Sequence, residues 1–345
     1  LTNLANASAS FTATSSYTDW KNASYFGVLN YSYDNRYILD ATIRREGSSR
    51  FSNGKRYGNF WSLGAAWNIS RENFLPEFFN DLKLRASYGL TGNAGVNINS
   101  YQAALNYDVQ YDNQGGSYVS NFGNNNLTWE KNNTFDIGLD FGVWDSRITG
   151  SVEYYDKRTH DLLQNVPLSL TTGFTSQAMN VGELSNKGIE ASLNINIVRG
   201  DRFNWSIFGT IATLKNRIEK LALTPDGKPI DINAGSSYQS AQVGNSYYSW
   251  YMPTWAGVNV QTGAPEWYIN GVDGDKTSTY AQAKRIFQGT ALPKITGGFG
   301  TNVSYDNFFL NANFYYVSGN KIYDQYAQFT MNSIGTNIAS TIVRE

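Results

Sequence analysis

The sequence predicts an all-β chain: an antiparallel barrel that crosses a membrane, with a secreted multi-sheet β-protein as the alternative. Three observations predict it. Apolar and polar residues alternate with a period of two over strand-length segments. All seven prolines (Pro76, Pro167, Pro225, Pro229, Pro253, Pro265, Pro293) fall outside those segments, as expected of a residue that cannot donate to a ladder. The connections alternate short and long along the chain, the pattern of tight turns on one rim and long loops on the other.

Ten segments carry the alternation. Asn22–Tyr33 places Tyr25, Leu29, Tyr31 and Tyr33 on one face. Arg36–Gly47 places Tyr37, Leu39, Ala41 and Ile43, and Gly58–Ser70 places Trp61, Leu63, Ala65, Trp67 and Ile69. Leu82–Gly92 sets Leu82, Leu84, Ala86, Tyr88 and Leu90 against Lys83, Arg85 and Ser87. Thr128–Phe141 sets Phe135, Ile137, Leu139 and Phe141 against Asp136 and Asp140. Arg147–Thr159 sets Ile148, Val152 and Tyr154 against Arg147, Glu153 and Lys157. Asn186–Val198 is the most regular, with Ile189, Ala191, Leu193, Ile195 and Ile197 opposing Glu190, Ser192, Asn194 and Asn196. Arg202–Lys215, Lys294–Tyr305 and Phe308–Ser318 complete the set.

Between them, Asp34–Asn35, Gly142–Ser146, Gly200–Asp201 and Asp306–Asn307 are short; the stretches around 48–57, 93–127, 160–185 and 216–293 are the long loops of one rim. Arg71–Asp81 is intermediate, with room for a helical turn in ENFLPEFF. Tyr101–Tyr111 also alternates. A lone extra crossing there would move every later short turn to the wrong rim. It is therefore expected in a β-ribbon above the membrane, paired with Ser117–Phe122.

The composition excludes several classes. Net charge is −1 over 345 residues, with 27 basic and 28 acidic side chains, so no basic stripe addresses nucleic acid. Charged residues are 16%, against roughly 25% in average soluble chains. Aromatics reach 15%, led by 24 Tyr. Cysteine is absent, which removes disulfide scaffolds and thiolate chemistry. No apolar run is long enough for a transmembrane helix. A negative mean hydropathy is compatible with a barrel, whose alternating strands average to a hydrophilic score. The opening LTNLANASASF has no initiator Met and no signal peptide, and STIVRE carries no evident stop; the chain is expected to be a piece of a longer one.

Family-like motifs follow in order along the chain. NNNLTWEKNNTFDIGLDFGVWDSRITGSVEYYDKRTHDLL from Asn124 resembles the SusC/RagA family of TonB-dependent outer-membrane transporters, at Leu127, Trp129, Glu130, Gly138, Asp140, Arg147, Gly150, Tyr154, Tyr155, Lys157, Asp161 and Leu162. Asn125 stands where the family usually has proline. NVGELSNKGIE (180–190), RREGSSRF (44–51), LKLRASYGLTGN (82–93), WAGVNVQTGAPEWY (255–268), PKITGGFGTNVSYDNF (293–308) and GNKIYD (319–324) extend the likeness. The resemblance implies a 22-stranded barrel with an N-terminal plug, of which this chain holds about ten strands. It implies a bacterial outer-membrane location and active import of oligosaccharides or peptides. The implied partners are a SusD-like surface lipoprotein and, through the absent N-terminal part, the TonB–ExbB–ExbD complex.

Candidate ligand-contacting residues lie in the longest loop: Tyr238, Tyr247, Tyr248, Trp250, Tyr251, Trp255, Trp267 and Tyr268. Aromatic faces beside amide edges suit sugar rings or extended peptides; packing of the loop on itself is the competing reading. Arg85, Arg147, Glu153, Lys157 and Glu190 are expected to line an aqueous lumen as ion-paired ladders that hold the plug. Glu153 and Glu190 have the chemistry of a glycosidase pair, but lumen lining explains both, and no enzyme is expected. His160 is the only histidine and has no partners for a triad or zinc site. Asp273 and Asp275 in NGVDGDKTS lack the distal Glu of a calcium loop and are read as a turn. No cofactor or metal is expected.

Overall fold

The structure, a computed structural model, describes residues 17–112, 114–224, 226–232 and 237–326. LTNLANASASF, Pro225 and STIVRE lie outside the described residues. The chain opens as an antiparallel meander of β1 (Asn22–Tyr33), β2 (Tyr37–Ser48), β3 (Tyr57–Asn68) and β4 (Phe79–Asn93). A separate two-stranded ribbon follows, β5 (Ala104–Tyr111) on β6 (Gln114–Asn121). The meander resumes with β7 (Glu130–Val143), β8 (Ile148–Pro167), β9 (Ser176–Arg199) and β10 (Phe203–Thr213). After Leu214 the chain continues as β11 (Lys215–Lys220), which pairs with upper β9 alone. Two three-stranded sheets come next: β12 (Gln239–Ser240), β13 (Ser249–Met252) and β17 (Ile286–Thr290), then β14 (Trp255–Val258), β15 (Pro265–Tyr268) and β16 (Lys276–Thr277). The main sheet closes with β18 (Ile295–Tyr305) on β10 and β19 (Phe308–Ser318) on β18.

Register turns the alternation of single strands into two continuous faces. Tyr33, Tyr37, Trp67, Leu84, Leu139, Val152, Ala191, Ile211, Gly297 and Tyr316 form one cross-strand row through the whole meander. No second layer covers this face among the described residues: Trp61 is 44% exposed, Leu193 41% and Phe314 57%. An apolar surface of that extent is untenable in water and is what a lipid-facing wall requires. The band ends where the outward positions become charged. Above Tyr154 and Ile189 the same face carries Asp156 and Lys187, paired at 2.9 Å.

The short turns are tight because the residues accept positive φ. Asp34 and Asn35 sit at φ 52° and 51°, the conformation of a two-residue hairpin turn, which Asn and Asp tolerate. At the same rim Glu72 collects the Tyr37 hydroxyl and the Trp67 indole N–H, each at 3.0 Å, with Arg36 at 3.5 Å. These two hydrogen bonds, the indole's first, hold its carboxyl below the usual range.

Three expectations are corrected. Residues 160–185 are mostly ladder, since β8 runs to Pro167 and β9 begins at Ser176; Pro167 thus ends a strand, where its missing N–H costs little. Above the lipid band neither face meets hydrocarbon, and loops cover Gln164, Val166 and Ser185, so the alternation that marks a strand fades. Residues 72–78 hold turns and no helix; a single 3₁₀ turn stands just before them at Ile69–Arg71. Arg147 lies in the turn between β7 and β8, exposed, and not on a strand.

Candidate functional site

The polar face opposite the apolar band carries a charged ladder. Arg85 on β4 is directly opposite Gly138 on β7, which is opposite Glu153 on β8, which is opposite Glu190 on β9. The Arg85 side chain reaches across β7: its Nη2 donates to Glu153 at 2.6 Å and its Nε to Asp140 at 3.2 Å. Gly138 makes the crossing possible, because a Cβ there would lie 2.9 Å from Arg85 Cζ. Tyr155 uses the same device at the next glycine, crossing Gly188 to donate to the Thr213 carbonyl at 3.0 Å. Glu190 has no hydrogen-bond or ion-pair partner for its carboxylate among the described residues. Lys157 shares the polar face further up, opposite Asn186. Asp140, the second partner of Arg85, was legible only as a polar position of correct parity.

At the long-loop rim the motif residues build a small core. Leu127 and Trp129 are buried with Phe51, Phe60 and Val96. Phe51 and Phe60 each pack on Trp129 at 5.3 Å between ring centroids, and the Trp129 indole donates to the Arg56 carbonyl at 3.0 Å. Glu130 accepts from Asn93 at 2.8 Å and from the Leu163 backbone at 2.9 Å. That backbone N–H faces Glu130 beside the irregularity between Thr159 and Leu162, where Asp161 adopts φ 57°. Asn180 closes the cluster. Its amide donates to the carbonyls of Thr128 and Asp161, both at 2.8 Å, and its oxygen accepts from the Thr128 N–H at 2.9 Å. The motif residues thus tie the loops after β2 and β4 to the upper walls of β7, β8 and β9. Beneath them a polar recess of about 320 Å³ opens on the inner face, lined by Trp20, Arg44, Glu46, Arg50 and Asn93.

The aromatic candidates of the longest loop divide between its two sheets. Trp250 and Tyr238 each stack on Tyr323, at 5.8 and 5.0 Å, and the Trp250 indole donates to the Lys321 carbonyl at 2.8 Å. Tyr247 meets Tyr248 edge-on at 4.9 Å and packs against Ile218, Leu221 and Ala241; burial raises the pKa of its hydroxyl. Tyr251 packs on Phe287 at 4.9 Å. In the second sheet Trp267 contacts Trp255 at 5.9 Å and Tyr280 at 5.2 Å, and Lys276 lies over Tyr268 at 6.0 Å. The rings pack on one another in separate groups across the two sheets. Trp255 at 54% and Tyr248 at 40% exposure keep open faces. In NGVDGDKTS, Asn270 accepts from the Val272 and Asp273 N–H groups at 2.8 and 3.0 Å, the hydrogen bonding of a side-chain-capped turn.

Comparison with known proteins places this geometry. Residues 2–339 match the family model described as TonB dependent receptor-like, beta-barrel. The chain is 34% identical over 331 residues to TonB-dependent receptor P26 of Formosa agariphila, covering 90% of this chain and 33% of that protein. It is 38% identical over 247 residues to TonB-dependent receptor SusC of Bacteroides thetaiotaomicron, covering 66% of this chain and 24% of that one. Among solved structures, that of the RagAB peptide transporter superposes with a TM-score of 0.81 at 30% identity, covering 91% of this chain and 35% of that chain. The RagAB peptide importer in the open-open state gives 0.79 at 31% identity, covering 87% and 33%. The chain spans about a third of the length of the curated relatives it matches.

Proposed function

The chain belongs to the TonB-dependent receptor-like β-barrel family, of SusC/RagA type, an outer-membrane family of transporters and not of enzymes; from that premise we propose that it forms part of the wall of an active importer of oligosaccharides or peptides. A SusD-like lipoprotein covers the long-loop rim from outside, and the TonB–ExbB–ExbD complex supplies energy through a plug that precedes this part of the protein. The loops at 48–57, 93–127 and 216–293, with the β8–β9 tip, face the exterior.

The observation that supports this reading best is the sidedness of the sheet. One face is apolar row by row, and the other holds Arg85, Asp140, Glu153 and Glu190, with the polar recess around Arg50 above them. A wall of that kind separates lipid from a wet interior. Glu190, with its carboxylate unengaged by the described residues, faces the space where a plug would sit. Trp255 and Tyr248 present the exposed rings that suit sugar or peptide contact.

Uptake by cells carrying the full-length protein tests it. Labelled oligosaccharide and peptide mixtures are offered with and without an uncoupler of the proton-motive force. Energy-dependent accumulation of one class, lost on deletion of the gene, is the expected result. Accumulation that survives the uncoupler, or none of either class, would overturn the proposal.

A further inference from the structure

In the polar recess of the inner face, the half-buried Arg50 keeps a charge that nothing around it answers. Its Nη1 donates to the carbonyls of Ala94 and Val96, at 3.1 and 3.3 Å. These bonds join the loop after β2 to the loop after β4 and hold the guanidinium in place. Trp20 covers the guanidinium face, with Cζ 4.7 Å from the ring centroid. The Nε is buried without a hydrogen-bond partner, and among the described residues no carboxylate pairs with Arg50. The neighbouring charges are already engaged. Arg44 pairs with Glu46 at 2.8 Å, and Glu130 accepts from Asn93 and from the Leu163 backbone. One positive charge is left over in a sheltered space.

A cation shielded from water and left unpaired is costly, and an orphaned donor adds to the cost. An anion in the recess relieves both. The free donors select its kind. Trp20 occupies the guanidinium face and the two carbonyls occupy Nη1, so the Nε–Nη2 edge remains. That edge offers two parallel donors, the match for the two oxygens of a carboxylate. The recess, at about 320 Å³, is at the small end of ligand sites and suits one acidic unit of a longer molecule. Its height on the wall separates it from the charged ladder. Asn93 lines the recess and ends β4, whereas Arg85 lies eight residues lower on the same strand, about 27 Å away along it. The recess therefore sits at the long-loop mouth, where a molecule arriving from outside enters.

We propose that the recess is a carboxylate subsite, in which the Nε–Nη2 edge of Arg50 takes the carboxylate of an imported uronic-acid oligosaccharide or acidic peptide. The proposal rests on the import reading and narrows its substrate to anionic molecules.

The test is binding of four probes to the purified full-length protein: trigalacturonate and its neutral counterpart trigalactose, and tetraglutamate and its neutral counterpart tetraglutamine. One acidic probe is expected to bind wild type about ten- to a hundredfold more tightly than its neutral counterpart, the worth of a charged hydrogen bond. Which pair shows the preference separates sugar from peptide. Arg50→Gln is expected to lose the preference while neutral-probe binding and heat-modifiable migration stay as in wild type. Arg50→Lys, which keeps the charge without the fork, is expected to keep part of it. A measurement on wild type alone stands beside the variants: the preference should vanish as pH falls below the ordinary carboxylate range and the probe loses its charge. No preference in wild type, a preference that persists in acid, or one retained in folded Arg50→Gln would each overturn the proposal. So would a lower unfolding midpoint in Arg50→Gln with probe binding unchanged, which would give Arg50 to a carboxylate of the plug. Energised uptake of a neutral ligand by cells, with no acidic preference in the purified protein, would end the subsite and leave the import reading standing.

Discussion

Arg85 gives the sharpest prediction, because its reach depends on an atom that is missing. The guanidinium lies over Gly138 to meet Glu153 at 2.6 Å and Asp140 at 3.2 Å. In Gly138→Ala the new methyl would stand 2.9 Å from Cζ and 3.0 Å from Nη2. No rotation of the methyl relieves this, since Cβ is fixed by the backbone, so the guanidinium lifts and the bond to Glu153 lengthens or breaks. Arg85 and Glu153 side chains are 36% and 25% exposed, so the interaction falls between an exposed pair at about 0.2–1 kcal/mol and a charged hydrogen bond at about 1.5–3 kcal/mol. A loss of about 1–2 kcal/mol follows. Urea unfolding of the full-length protein in detergent, followed by heat-modifiable migration, reads it. The cycle with Arg85→Ala isolates the cause. Gly138→Ala should cost about 1–2 kcal/mol in wild type and close to nothing once Arg85 is gone. An equal cost in both backgrounds would refute the crossing and leave only the backbone preference of glycine.

Other outcomes follow from the same geometry. Trp129→Ala removes the centre of the rim core and should cost about 3–5 kcal/mol locally; limited proteolysis would then cut within 49–56 and 94–129 while the barrel stays folded. Leu193→Arg should destabilise by about 2–4 kcal/mol, as a cation at bilayer depth does, whereas Ser192→Arg on the other face of β9 should be tolerated; unfolding midpoints of the two decide it. At the short-turn rim, Glu72 has a depressed carboxyl, so its contribution is present above its unfolded pKa and is lost as pH falls through the lower folded value. Hydrogen exchange across residues 69–78 should rise only in acid below the ordinary carboxylate range, and Glu72→Gln should abolish that step.

The sequence was legible where one face of a strand meets lipid and the other meets water. There the period of two is forced, and β1, β10 and β19 fall within about a residue or two of their expected ends. It was illegible where that asymmetry stops. Upper β8 and β9 stand above the lipid and pack against the rim loops, so HDLLQNVP and SQAMNVGELS read as loop although they pair from Thr159 to Pro167. The rim core draws Phe51, Phe60, Val96, Leu127 and Trp129 from separate segments, and no periodicity marks residues that meet only in three dimensions. The Arg85–Glu153 bond needs the register of three strands at once. Parity alone gave the ribbon of β5 and β6, since an added crossing would have inverted every later turn. Aromatic density marked the long loop, but only the fold divides Trp250 from Trp267 between its two sheets.

Cysteine scanning tests the sidedness of the wall most directly, and this chain, which has no cysteine of its own, suits it. Nitroxide labels are placed singly at positions 61, 193 and 314, and at their neighbours 62, 192 and 313, in the full-length protein in bilayers. Collision with oxygen and with a water-soluble nickel chelate is then measured for each. Oxygen access is expected at the Trp61, Leu193 and Phe314 positions, and nickel access, or burial by the plug, at the Ser62, Ser192 and Asn313 positions. Nickel access at the first three would contradict it, as it would place water where hydrocarbon is required.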